Sequence, residues 1–156
     1  VLGDNIRIDD FCILSGNIKL GSYIHISAYT CLIGGVKGII LQDFVTVSSR
    51  CAVYAVSDDF SGEQLNNSMI PTAYRSVIEG RVILEDYVSV GTGSTILPGV
   101  KLEEGAAVGA MSFVKHTLEG WKIYAGAPCR YVKDRNQNMK QLRAVLQNSG
   151  EYEESR

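Results

Sequence analysis

Aliphatic residues recur at every sixth position through most of this 156-residue chain. Neither common secondary structure has that spacing, since a half-buried strand alternates with period two and an amphipathic helix returns near 3.6. Leu84, Val90, Ile96, Leu102, Val108 and Val114 form one unbroken run, and Leu2, Ile8, Leu14, Leu20, Ile26 and Leu32 form another. After a short slip, Leu41, Val47 and Val53 continue it. Four residues beyond an anchor stand small or β-branched side chains such as Cys12, Thr30, Cys51, Ser94, Val100, Ala106 and Ser112. Turn formers such as Asp9-Asp10, Glu85-Asp86 and Pro98-Gly99 lie between. Short strand pieces joined by tight turns make the sides of a triangular coil of about eighteen residues. Such coils stack at about 4.8 Å and bury their anchors in a central column. The period predicts an all-β fold, a parallel β-helix spanning residues 1–135.

The repeat breaks once at length. Residues 55–80, "AVSDDFSGEQLNNSMIPTAYRSVIEG", carry no period six. A loop of this length in a compact domain is usually functional, the alternative being a tolerated surface insertion. After the coils, Met139, Leu142, Val145 and Leu146 share one helical face, which predicts a C-terminal helix over 136–148. The tail 149–156 is too polar to bury and is expected to be mobile. Val1 is not a Met and is already in register, so an N-terminal segment is expected to precede it.

A formal net charge of −2 gives no basic footprint for nucleic acid. No apolar run is long enough for a membrane span, and no signal peptide opens the chain. Cys12, Cys31, Cys51 and Cys129 form no C-x-x-C pair, so reduced thiols and a cytoplasmic location are expected rather than disulfides or zinc. His25 and His116 are the only histidines, too few for a three-His zinc site within one chain. No metal is expected.

The hexapeptides "VGTGST", "LEEGAA" and "VGAMSF" resemble those of the left-handed β-helix acyltransferases. "TILPGVKLEEGAAVGAMSFV" is similar to the late coils of the maltose and galactoside acetyltransferase branch. "IYAGAPCRYVK", Ile123 to Lys133, resembles the segment that follows the last coil there, with Ala127 and Cys129 as small departures. The resemblance implies a left-handed coil, acetyl-CoA as co-substrate, and a homotrimer in which the long loop folds over a neighbour and walls the acceptor site. By motif, Gly91, Gly93, Gly109 and Ala110 line the pantetheine arm. Lys115 and His116 stand where the family often has Thr-Lys, while Arg130 and Lys133 meet the nucleotide phosphates. For the glycines the competing reading is turn geometry alone. Trp121 either stacks on adenine or packs over the last coil.

Acyl transfer from a thioester needs a nucleophile and an acceptor for its proton. Many O-acetyltransferases of the branch carry a catalytic His where the long loop starts. Here that stretch reads "VYAVSDDFSG", with Ser57, Asp58 and Asp59 and no His. A neutral amine attacks without prior deprotonation, and Asp58 or Asp59 could orient it and take the proton afterwards. His25, just before an anchor, points outward and is the candidate base if the acceptor is a hydroxyl. Tyr29 and Tyr74 join Ser57 as candidate acceptor contacts. The expected activity is acetyl-CoA-dependent N-acetylation of a nucleotide-linked amino sugar for surface polysaccharide synthesis. O-acetylation of a sugar hydroxyl is the alternative, and a non-catalytic β-helix scaffold or binding module is the alternative of another class.

Overall fold

The computed structural model describes residues 1–149. Its strands wind into three parallel faces of a left-handed triangular helix. The first face stacks β1 (Ile6–Ile8), β4 (Ile24–Ile26), β7 (Thr46–Val47), β12 (Ser89–Val90), β15 (Ala107–Val108) and β17 (Lys122–Ala125), and then β18 (Arg130–Asp134), which returns antiparallel to β17. The second face carries β2 (Ile13–Ser15), β5 (Cys31–Ile33), β8 (Ala52–Tyr54), β13 (Thr95–Ile96) and β16 (Phe113–Val114). The third carries β3 (Ile18–Leu20), β6 (Ile39–Leu41), β11 (Val82–Leu84) and β14 (Lys101–Leu102). β9 (Val56–Asp58) and β10 (Val77–Glu79) form an antiparallel hairpin at the neck of the long loop. The helix α1 runs Asn138–Asn148.

The period-six anchors are the core. Leu84, Val90, Ile96, Leu102, Val108 and Val114 are all buried, with Cys51, Ser94, Val100, Ala106 and Ser112 beside them in the same column. Buried hydroxyls are satisfied by the coil itself: Ser94 Oγ and Ser112 Oγ both donate to the Gly109 carbonyl, at 3.0 and 2.7 Å. Leu2, Ile8 and Leu14 occupy anchor positions of the first described coil and are exposed at its open end.

Most corners are turned by a residue with positive φ, a conformation that favours glycine. Phe11, Tyr29, Arg50 and Met111 hold this conformation where the first face meets the second. Asn5, Tyr23, Phe44, Tyr87 and Trp121 hold it where the third meets the first. Stacking in register turns the second column into an aromatic ladder, with Tyr23–Phe44 and Phe44–Tyr87 centroids 4.9 and 5.6 Å apart. Trp121 sits against Gly105, where a Cβ would fall 2.4 Å from the indole. Trp121 thus packs on the coil below it. Helix α1 lies on this ladder through Arg143, which donates to Asp86 and Asp43 at 2.8 Å each. The slip in the repeat is a short excursion at 34–38, where the second face meets the third.

Candidate active site

The family-implied residues fall into separate groups. Gly91, Gly93, Gly109 and Ala110 stack at the corner between the first and second faces, and Arg130 begins β18 at the top of that column. Backbone geometry already requires the glycines. A Cβ on Gly91 would come within 2.5 Å of the Ala110 nitrogen, and one on Gly93, at φ +73, within 2.4 Å of Met111 Sδ. The same absence of side chains at Gly91 and Gly109 lets an extended ligand arm approach the backbone closely, beside the Met111 side chain that lies over Gly93. Lys133 lies towards the far end of β18, opposite Ile123. Lys115 and His116 are exposed at the next corner, where the second face meets the third.

Ser57, Asp58, Asp59 and Tyr74 belong to the long loop, which leaves from that same corner. The β9–β10 hairpin holds its neck, and a single 3₁₀ turn, Thr72–Tyr74, leaves the Tyr74 ring exposed. The two carboxylates have different surroundings. Asp59 accepts from the Ser61 amide at 2.8 Å and the Ser76 hydroxyl at 2.8 Å. These bonds, the Ser61 amide first, hold its carboxyl below the usual carboxylate range. Asp58 is half-buried and, among the described residues, its carboxylate meets only the Arg75 guanidinium, at 3.8 Å. That loose contact leaves Asp58 free to take another cation. Ser57 donates its hydroxyl to the Asp58 carbonyl.

His25 stands on the first face, away from the loop of its own chain. Its row of outward neighbours is Arg7, His25, Thr46, Ser89, Ala107 and Ile123. His25 Nε2 lies 2.9 Å from Asp9 Oδ2 and 3.5 Å from Ser27 Oγ. His25 and then Arg7 hold the Asp9 carboxyl below its ordinary range. Because Asp9 and Ser27 both approach the same ring nitrogen, the three do not form a Ser–His–Asp relay, which needs a partner on each nitrogen. Tyr29 lies at the glycine corner several coils lower, 58% exposed and stacked on Phe11 at 5.0 Å.

Sequence reasoning missed Asp9, Arg75 and Ser76. Asp9 faces His25 only because one coil stacks on the next. Arg75 and Ser76 sit on the returning side of a loop with no period to place them.

No family profile matches the sequence. The chain is 36% identical to an Escherichia coli dTDP-4-amino-4,6-dideoxy-D-glucose acyltransferase, over 95% of its own length and 78% of that protein. It belongs to the hexapeptide-repeat acyltransferases. The Bacillus cereus N-acyltransferase AntD, solved with dTDP and 3-hydroxybutyryl-CoA, superposes with a TM-score of 0.94 at 49% identity, covering 96% of this chain and 80% of that one. An AntD variant has also been solved with dTDP-4-amino-4,6-dideoxyglucose and coenzyme A, at 50% identity and a TM-score of 0.93, covering 94% of this chain and 79% of that one. A hexapeptide-repeat acetyltransferase from Vibrio cholerae shares the fold at 19% identity and a TM-score of 0.67, covering 87% of this chain and 73% of that one. The β-helix expected from the period is this family's fold, and the chain is an acyltransferase. Among the described residues no group of side chains is arranged to hold a metal ion, and no helix is long and apolar enough to cross a membrane.

Proposed function

We propose that this acyltransferase moves an acyl group from a coenzyme A thioester to the amino group of a dTDP-linked 4-amino-4,6-dideoxy sugar. The observation that carries the reading is the similarity to AntD, half identical over nearly the whole chain and solved with that nucleotide sugar and coenzyme A. Chemistry at the loop accords with it. Asp58, loosely paired, attracts the sugar ammonium and, once that group has given one proton to water, orients the neutral amine. The amine nitrogen attacks the thioester carbonyl carbon, an N–C bond forms, and the C–S bond breaks. The surplus amine proton passes to Asp58 and then to the departing thiolate. No imidazole is required.

The AntD variants include changes at a serine and at an aspartate ten positions apart. Ser48 with Asp58, and Ser49 with Asp59, carry that spacing at the approach to this loop. Asp59 serves as the loop's staple and Asp58 as the substrate contact, with Ser57 and Tyr74 around the acceptor and Tyr29 facing it from a neighbour. Gly91, Gly93, Gly109 and Ala110 carry the pantetheine arm with Arg130 and Lys133 at its charged end, while Lys115 and His116, at the loop's own corner, meet the charged end bound along a neighbour's column.

The loop and the glycine column stand at opposite edges of the second face, so one chain alone does not bring Asp58 to the thioester. Closed threefold association sets one subunit's loop against the next subunit's glycine column. The active assembly is therefore a homotrimer. Free thiols at Cys12, Cys31, Cys51 and Cys129 accord with a cytoplasmic enzyme, whose product would enter surface polysaccharide synthesis. Incubation with acetyl-CoA or 3-hydroxybutyryl-CoA and the amino sugar nucleotide tests the reading. The product should gain one acyl mass and resist mild hydroxylamine, as an amide does and an ester does not.

A further inference from the structure

We propose that a basic pocket on the third face, beside the loop's return, binds the diphosphate of the nucleotide-linked acceptor; this rests on the acceptor reading above. The pocket encloses about 420 Å³, within the roughly 300–1,000 Å³ range of ligand sites. Its charged lining is Lys19, Lys37 and Arg81, over a floor that includes Ile39 and Ile40. These cations come from three places. Lys19 points outward from β3 opposite Ile40, Lys37 belongs to the 34–38 excursion, and Arg81 is the first residue after the loop returns at Gly80. Arg81 Nε donates to the Lys37 carbonyl at 3.0 Å, which ties the loop's return to the excursion and leaves the outer guanidinium nitrogens for a ligand.

No carboxylate lines this pocket. Among the described residues, no acid pairs with Lys19, Lys37 or Arg81; Arg50, Lys115, Arg130, Lys133 and Arg135 also lack one, so it is the shared cavity that sets these three apart. Convergence of three such cations on one cavity, in a chain whose net charge is −2, is a repulsive arrangement that an anion relieves. A diphosphate matches it: a guanidinium takes two phosphate oxygens in a planar fork, and flanking ammonium groups serve as point charges. Coenzyme A also carries a nucleotide diphosphate. The pocket flanks the root of the loop that presents Asp58, the proposed amine contact, so it goes to the acceptor.

Calorimetry with dTDP, thymidine and coenzyme A on the full chain tests this. Lys19 and Lys37 side chains make no hydrogen bond among the described residues, so Lys19→Ala with Lys37→Ala should leave the fold intact. That double variant should lose tenfold or more in dTDP affinity while its binding of coenzyme A is unchanged. Arg81→Lys, which keeps the charge and loses the fork, should fall between it and the parent. Parent-level dTDP affinity in the double variant overturns the pocket while leaving the proposed reaction standing, and so does a loss confined to coenzyme A. Failure of the parent protein to bind dTDP overturns the acceptor reading and the pocket with it.

Discussion

Asp59 and Ser76 close the neck of the long loop: the serine hydroxyl donates to Asp59 Oδ2 at 2.8 Å, and the Asp59 amide donates to the Ser76 carbonyl at 3.3 Å. The clasp holds Asp58, one residue on its coil side, against Arg75, one residue on its loop side. A flexible insertion would leave Asp58 without a fixed direction. Here the hairpin aims it, and the account turns on that difference.

Asp58 and His25 should therefore respond differently to mutation. With an amine acceptor, Asp58→Asn should lower kcat/KM by about a hundredfold or more, through KM and kcat together, because a charge-assisted contact and the acceptor of the amine proton are both lost. His25→Ala should cost less than tenfold, well below the roughly 10²–10⁴-fold of a general base. Steady-state kinetics on both variants reads the order, and a larger loss at His25 would favour a hydroxyl acceptor.

The clasp has a defined response to acid. The Ser61 amide and then the Ser76 hydroxyl stabilise the Asp59 carboxylate, so its folded pKa lies below the ordinary 3.8. Its contribution is thus fully present above pH 3.8 and is lost as pH falls through the lowered value. Limited proteolysis with an acid-active protease, scaled to an unfolded control, should find the loop protected at pH 5 and cut faster once the pH falls well below 3.8. Ser76→Ala should already be cut faster at pH 5.

The glycine corner should tolerate no side chain. In Gly91→Ala the new Cβ would lie 2.5 Å from the Ala110 nitrogen and 2.7 Å from the Gly109 carbonyl carbon, both backbone atoms that can move only with their coil. Overpacking of this kind costs about 1–3 kcal/mol. Thermal melting should show the loss, and calorimetry should show weakened coenzyme A binding.

Helix α1 should depend on Arg143. The guanidinium bridges Asp43 and Asp86 on successive coils and lies 4.8 Å from the Phe44 ring centroid. Burial works against its charge, yet hydrogen bonds with Tyr87 and Asp86 more than offset this and raise its pKa. Arg143→Met keeps the stem and removes the bridge, at a cost of about 1–3 kcal/mol. Hydrogen exchange should rise across 138–148 and stay unchanged in β13 and β16.

The coil was legible because its determinants are local and repeated. Each anchor is independent evidence for one geometry, and the run from Leu84 to Val114 is buried throughout. A further signal was present in the sequence and went unread. The third residue after an anchor is Phe11, Tyr23, Tyr29, Phe44, Tyr87 or Trp121, with Gly93, Gly99 and Gly105 elsewhere, and these turn the corners. The site was less legible. Asp9 meets His25 across one coil, Arg75 meets Asp58 across a loop, and Lys115 stands at a different corner from Gly91 although motif grouped them. Such pairs depend on stacking and loop return, which leave no periodic trace.

The central claim, acyl transfer to an amine, is tested most directly with a matched pair of acceptors. Thiol release from acyl-CoA should be followed with dTDP-4-amino-4,6-dideoxyglucose and with the otherwise identical dTDP sugar carrying a hydroxyl at that carbon. One thiol should be released per amide formed with the amine, and turnover should be about a hundredfold or more slower with the hydroxyl, which lacks a general base here. Equal or faster turnover with the hydroxyl, or none with the amine, would contradict it.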